Sequence, residues 1–336
     1  MALGGQMRPQ AFLIAFLSTL VISLGLWAVA HPSLSQKGEG FSFALIGDLP
    51  YDNDQIEKFG NLTDQINQSD SRFVVHDGDF KSGTDLCSDE VFAQRKQLFD
   101  RFELPLIYVP GDNEWTDCYR ESNGSYDPLE RLEKFRDLFT QGNQSLGKRT
   151  LHLTRQSENS QFAKFRENVR WSYGDVLFVG LNVTGSNNGF GRTPEGDAEY
   201  WERNTANLAW MQEAFTLSKQ NGDRGIMLII QANPNFELEP AKRTGFNDFL
   251  SALETETFNF RGQVVLVHGD SHYFRIDKPL LHFTHEGIPP LENFTRVETF
   301  GSPNVHWLRA TVNASNPNLF EFEQMIVDAN RSRFSI

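Results

Sequence analysis

The chain has 336 residues, of which 39% are hydrophobic and 12% aromatic, enough apolar material for one sizeable α/β core. Its net charge of −13 speaks against a basic groove, so neither nucleic acid nor an anionic membrane surface is an expected partner. No repeat at a solenoid or propeller period runs along it.

The first thirty residues read as an address rather than as fold. Arg8, the apolar run AFLIAFLSTLVISLGLWAVA and the ending Ala28-Val29-Ala30 make up the three parts of a cleavable signal peptide. Left uncleaved, the same run is long enough to anchor the protein in a membrane, the one case in which a membrane is a partner. Either way the body is expected to be secreted or periplasmic, with 31–40 a polar linker and 41–336 one domain. In that oxidising setting Cys87 and Cys118 are expected to form a disulfide. Asn-x-Ser/Thr triplets begin at Asn61, Asn67, Asn123, Asn143, Asn182, Asn293, Asn313 and Asn330, and carry glycans only if the source is eukaryotic.

From residue 41 onward, short apolar runs alternate with helical patterns. FSFALIGD ends at Asp48 and RFVVHDGD at Asp79. SDEVFAQRKQLFDRF is a predicted helix capped by Ser88, with Val91, Leu98, Phe99 and Phe102 on one stripe. LPLIYVPGDN ends at Asp112 and Asn113, and DPLERLEKFRDLF opens a helix with Asp127 as cap and Pro128 at its first position. DVLFVGLN then ends at Asn182, and YWERNTANLAWMQEAF places Trp201, Leu208, Met211 and Phe215 at helical spacing. GIMLIIQAN ends at Gln231 and Asn233, and QVVLVHGDSH at Asp270 and His272. Runs this short and this apolar predict parallel strands covered on both faces, hence a layered α/β fold. His76, inside one such run, is expected to be a hydrogen-bonded core residue or a support for the site.

Six strands therefore deliver Asp, Asn, Gln or His to their carboxyl ends, where open α/β sheets bind ligands. Carboxylates crowded there repel one another unless positive charge lies between them, and divalent cations supply it.

In order and spacing these motifs resemble the calcineurin-like metallophosphoesterases, the superfamily that includes purple acid phosphatases, over most of residues 41–275. The resemblance implies two mixed β-sheets packed face to face and flanked by helices. It also implies two metal sites and hydrolysis of a phosphate mono- or diester by a metal-held hydroxide. Carried over residue by residue, the metal ligands are Asp48, Asp79, Asp112, Gln231, Asp270 and His272, with Asp79 bridging. Asn113 stands where the family has its protonating histidine, followed by Glu114, which could orient a ligand or serve as the acid/base. Pro50 stands where the family has a further metal-binding histidine, and Tyr51 is placed to reach that position. This oxygen-rich set favours Mg²⁺, Mn²⁺ or Ca²⁺, with Fe or Zn²⁺ as alternatives. Asn182, Asn233, Arg275 and Arg296 are candidates to line the cleft or contact a phosphorylated small molecule or conjugate. The competing reading is a catalytically silent binding module that keeps the fold.

Overall fold

Phe41–Ile46 (β1) sends Phe41, Phe43 and Leu45 into one apolar layer, and Ala44 and Ile46 into another. A strand's side chains alternate between faces, so an unbroken apolar run means that both faces are covered. The same division recurs in Val176–Gly180 (β6), Gly225–Ile229 (β7) and Gln263–His268 (β8). The computed structural model describes residues 1, 2, 40–281 and 290–331. The expected leader at 1–30 and linker at 31–40 fall almost wholly outside the described residues.

The other strands are Val74–His76 (β2), Leu106–Tyr108 (β3), Thr154–Arg155 (β4) and Val169–Tyr173 (β5). Arg275–Asp277 (β9), Phe294–Glu298 (β10), Trp307–Val312 (β11) and Phe320–Met325 (β12) follow. They form a five-stranded sheet in the order β12-β11-β1-β2-β3 and a seven-stranded sheet in the order β4-β5-β6-β7-β8-β10-β9. β1, β2 and β3 run parallel, as do β6, β7, β8 and β10, while the flanking strands are antiparallel. This is the expected pair of mixed sheets.

Helices cover both outer faces. Asn53–Asn67 (α1), Asp89–Phe99 (α2) and Pro128–Phe139 (α3) pack on the five-stranded sheet through Phe59, Phe99 and Phe135. Pro194–Asn221 (α5) and Asn247–Phe258 (α6) cover the seven-stranded sheet through Met211, Phe215 and Leu253, and a four-residue turn, Gly185–Asn188 (α4), precedes α5. Between the sheets lie Phe43, Phe73, Trp171 and Phe178, and burying each such ring contributes roughly 1.5–3 kcal/mol. Ser88 and Asp127 cap α2 and α3 as their sequence positions predict. Two stripe positions differ: Phe92, rather than Val91, is buried on α2, and Trp201 of α5 is half exposed. Trp201 instead meets Phe190 and Tyr200 at the surface.

Cys87 and Cys118 form a disulfide with Cα atoms 5.7 Å apart. It ties the start of α2 to the turn that follows β3. Several sequon asparagines are spent inside the fold. Asn293 donates to three backbone carbonyls, Asn330 to those of Lys58 and Val305, and Asn123 to that of Gly83. Glycans at these positions are incompatible with this packing.

Candidate functional site

The carboxyl ends of β1, β2 and β3 meet those of β7 and β8, and the backbone there takes an unusual course. Asp48, Asp79, Asp270 and His272 have φ values of 52°, 57°, 77° and 55°. Left-handed backbone at non-glycine residues costs of order 1–3 kcal/mol each and gathers where geometry serves a site. Close approach does the rest. A Cβ at Gly111 would lie 2.0 Å from Asp79 Oδ1, and one at Gly269 would lie 2.1 Å from Asp48 Oδ2. Only glycine lets these two turns touch the carboxylates.

Tyr51 sits at the centre of the first group. Its hydroxyl lies 3.1 Å from His272 Nε2 and 3.4 Å from both Asp48 Oδ1 and Asp79 Oδ2. His272 Nε2 is in turn 3.4 Å from Asp48 Oδ1. The ring is held by its own backbone N–H, which donates to Gln55 Oε1 at 3.0 Å at the start of α1. Burial, then the charges of Asp79, Asp48, Asp112 and Glu114, raise the Tyr51 pKa well above the usual phenol value. Burial works against a proton on His272, but the hydrogen bond and charge of Asp48 prevail and raise its pKa.

Asp79 is enclosed by donors. Its Oδ2 accepts from Asn113 Nδ2 at 2.9 Å and Gln231 Nε2 at 3.1 Å, and its Oδ1 accepts from the Asn113 backbone N–H at 3.0 Å. The Gln231 amide is turned this way because its Oε1 takes the Gly185 N–H at 2.6 Å. Glu114 lies beneath, accepting from Tyr108 Oη at 2.6 Å, Gly111 N at 2.5 Å and Asp79 N at 3.3 Å. It braces the turn and the backbone of Asp79.

A second group of acids adjoins the first. Ser186 Oγ donates to Asp112 Oδ2 at 2.8 Å and lies 3.4 Å from Asp117 Oδ1. Asp270 Oδ2 accepts from the Asn233 backbone N–H at 2.9 Å, and the Asp270 N–H donates to Asp48 Oδ2 at 3.1 Å. Burial, then the charge of Asp112, pushes the Asp270 pKa well up and that of Asp117 to about 6. Asp79 is pushed up by burial, then by Asp112, Glu114 and Asp48, and Asp77 by burial, then by Asp48. The ion pairs here are few. His272 meets Asp48, while Arg120 and Arg192 meet Asp117 at 2.7 and 3.2 Å.

The structure thus gathers Asp48, Tyr51, Asp79, Asp112, Asn113, Glu114, Gln231, Asn233, Asp270 and His272. It does not bring in the others. Asn182 Nδ2 donates to Glu167, itself paired with Arg136. Arg296 pairs with Asp277 and Glu237, and Arg275 with Glu298 and Glu237. Asp77, Asp117 and Ser186 belong to the neighbourhood but were not expected from the sequence. The only signal for Asp117 was its place five residues after Asp112 in a turn closed by Cys118. His76 is a core support: it bonds Leu49 O at 2.8 Å and takes the Gly78 N–H at 3.2 Å, with its pKa lowered to about 4 by burial.

Whether these groups suit a metal ion depends on Tyr51. Among the described residues, no three His, Cys, Asp or Glu side chains by themselves make a group that could hold one. Three donors, from Asp48, Asp79 and His272, stand 3.1–3.4 Å from the Tyr51 phenolic oxygen, which also accepts from Asn113 Nδ2 at 3.2 Å. Neighbouring ligands of an octahedral ion with bonds of about 2.1 Å lie about 3 Å apart, so the spacings around Tyr51 are of a size that suits one ion once the Asn113 amide turns away. The Asn113 and Gln231 amide N–H groups both point at Asp79 Oδ2, and because N–H groups repel a cation they must turn before that oxygen can hold an ion at either position.

No family model matches the chain, and no curated protein matches it significantly by sequence. Solved structures do resemble it. A dimetal phosphatase from Danio rerio superposes with a TM-score of 0.52 at 11% identity, covering 85% of this chain and 96% of that one. Weaker likeness extends to PhoD, with a TM-score of 0.48, 13% identity, and 84% and 66% of the two chains covered. It extends also to a purple acid phosphatase from yellow lupin seeds, with a TM-score of 0.48, 9% identity, and 88% and 55% covered. At such identities the likeness is one of fold. On its two mixed sheets, its flanking helices and its match to the dimetal phosphatase, the chain has the calcineurin-like metallophosphoesterase fold.

Proposed function

We propose that this protein is a metal-dependent phosphoester hydrolase acting on a phosphorylated small molecule outside the cytosol. The observation that carries this is the Tyr51 hydroxyl set among Asp48, Asp79 and His272, two of them from one sheet edge and one from the other. These four residues would hold a single principal ion, with Mg²⁺, Mn²⁺ or Ca²⁺ preferred and Fe or Zn²⁺ to be tested beside them. Such an ion supplies Lewis-acid polarisation of a phosphoryl oxygen and offsets the buried carboxylates.

The protein's own groups do the positioning. Asn113 and Gln231 orient the Asp79 carboxylate through three N–H bonds, and Glu114 holds the turn that presents it. Asn113 has no proton to give a leaving group, so the family's histidine role is not filled at that position. Arg120 and Arg192, which are partly exposed and paired with Asp117, are better candidates for an incoming phosphate than Arg275 or Arg296. Export is supported by the leader-like first thirty residues and by the disulfide.

A second reading, the silent binding module, is favoured by one feature: the amides that close around Asp79. Assays of phenyl phosphate and bis(4-nitrophenyl) phosphate with each metal in turn separate the two. Turnover abolished by chelator and restored by one metal supports the hydrolase. No turnover with any metal leaves the binding module.

A further inference from the structure

We infer that the Asn113 side-chain amide competes with the ion for the oxygens of the site and turns aside when the ion binds. The inference rests on the reading of Asp48, Tyr51, Asp79 and His272 as an ion site, and adds a gate to it.

Asn113 Nδ2 lies 2.9 Å from Asp79 Oδ2, 3.2 Å from Tyr51 Oη and 3.1 Å from the Lys81 carbonyl oxygen. An amide nitrogen carries two N–H groups, whose hydrogens are the positive end of its dipole. It therefore does weakly for the Asp79 carboxylate what a cation does strongly. The direction of the amide is set by these partners. A carboxylate and a peptide carbonyl only accept, so the oxygen end of Asn113 would be repelled by both. Gln231 Nε2 also bonds Asp79 Oδ2, at 3.1 Å, but Asn113 Nδ2 is the group that spans Asp79 and Tyr51.

The third acceptor is held in place by a buried cation. Lys81 is fully buried, and its ammonium group donates to the Ser82 and Asp85 carbonyls and to Asn123 Oδ1 at 2.8–3.0 Å. Those bonds fix the segment 81–85, and with it the carbonyl that receives Asn113. At the other end of the amide, a Cβ on Gly83 would come within 2.8 Å of Asn113 Oδ1, so glycine leaves the side chain its room. The Asn113 backbone N–H bonds Asp79 Oδ1 at 3.0 Å. The main chain can thus keep hold of the carboxylate while the side chain turns.

A cation that takes Asp79 Oδ2 and Tyr51 Oη must displace the amide from both. A site whose open form is sparsely populated binds with its affinity reduced by that fraction. Asn113 thereby sets a threshold of cation concentration. Below it the acids keep the protein's own hydrogen bonds, and above it they pass to the ion.

The test compares the full-length parent with Asn113→Ala after chelator treatment. Free Mn²⁺, measured by its electron paramagnetic resonance signal, gives the Kd of each. That Kd should be about tenfold lower in Asn113→Ala, the order of one hydrogen bond to a charged group. In chelator the variant's Tm should lie below the parent's, and excess Mn²⁺ should narrow or reverse the gap. A residue that merely braces the turn would lower Tm equally in both conditions and leave Kd unchanged. A second measurement needs no variant to fold well. In parent labelled with ¹⁵N at asparagine, the Asn113 side-chain N–H pair is identified by its absence from Asn113→Ala. It should exchange slowly with solvent in chelator, and faster with Mg²⁺ at the concentration that displaces bound Mn²⁺. Uptake of Mn²⁺ by Asn113→Ala alone supports the gate. A Kd that is equal or higher in Asn113→Ala, or exchange that Mg²⁺ leaves unchanged, overturns the gate while leaving the ion site intact. No uptake by either protein removes both.

Discussion

The phenolic oxygen of Tyr51 lies 3.1 Å from Nε2 of His272, although the two residues are 221 positions apart. Tyr51 follows β1 of one sheet and His272 follows β8 of the other, so this contact closes the site across the sheet edges. Tyr51→Phe keeps the ring and removes only the oxygen. Metal affinity, measured by calorimetric titration, should fall by at least the roughly 10–100-fold that losing a supporting hydrogen bond costs. Unchanged affinity would show that Tyr51 is a bystander.

Gln231→Glu tests whether the amides around Asp79 exclude a second ion. The substitution replaces an N–H donor 3.1 Å from Asp79 Oδ2 with a carboxylate oxygen. In chelator the variant should be less stable, because two buried carboxylates would then face each other. With excess Mn²⁺ it should bind more metal than the parent. Equal stability and equal metal content would mean that the amide has no such role.

Much of the fold is legible in the sequence because each central strand is covered on both faces. An apolar run such as FSFALI then has one simple meaning. The strand ends are legible for the same reason: a polar residue straight after a buried run stands out, and Asp48, Asp79, Asp112, Gln231 and Asp270 do converge. Asn182 has the same sequence signature yet is drawn to Glu167, whose Oε1 accepts from both Arg136 Nη2 and the Asn182 amide. Arg275 and Arg296 pair locally with acids near the edge of the seven-stranded sheet. What one-dimensional spacing does not carry is direction. Nothing in the sequence says that Gly185 N turns the Gln231 amide toward Asp79, or that the turn after Asp112 folds Asp117 back on it.

The metal-free protein should lose stability as pH rises above about 6.5. Asp77, Asp79 and Asp270, raised above the ordinary carboxyl value of about 4, and His272, raised above about 6.5, keep protons in the folded state that the unfolded chain has released, so stability falls as pH climbs above each of those ordinary values. His76 and His268 act in the other direction. Burial lowers them to about 4 and about 3, so the unfolded chain takes up protons first and stability is lost as pH falls below the ordinary histidine pKa of about 6.5. In chelator the Tm should therefore be lower near pH 8.5 than near pH 6.5. Adding the preferred metal should shrink that difference, since a cation replaces the protons. A Tm in chelator that holds or rises over this interval would contradict the electrostatic account of the acid cluster.

Breaking the Cys87–Cys118 bond should cost roughly 3–4 kcal/mol for a loop of this size. The bond spans 31 positions and anchors the segment carrying Trp115 and Asp117. Denaturant midpoints for the parent and for the double variant Cys87→Ser/Cys118→Ser measure it. A difference below about 1 kcal/mol would mean that the turn is held chiefly by its hydrogen bonds.

Metal stoichiometry tests the central claim most directly. Protein equilibrated with Mn²⁺ and freed of excess should be analysed for bound metal by elemental mass spectrometry, alongside Asp48→Asn and His272→Ala. One tightly held ion per chain in the parent, lost in both variants while their folds persist by circular dichroism, is the predicted result. No bound ion in the parent with any of Mg²⁺, Mn²⁺, Ca²⁺, Fe or Zn²⁺, or full metal content in both variants, would contradict it.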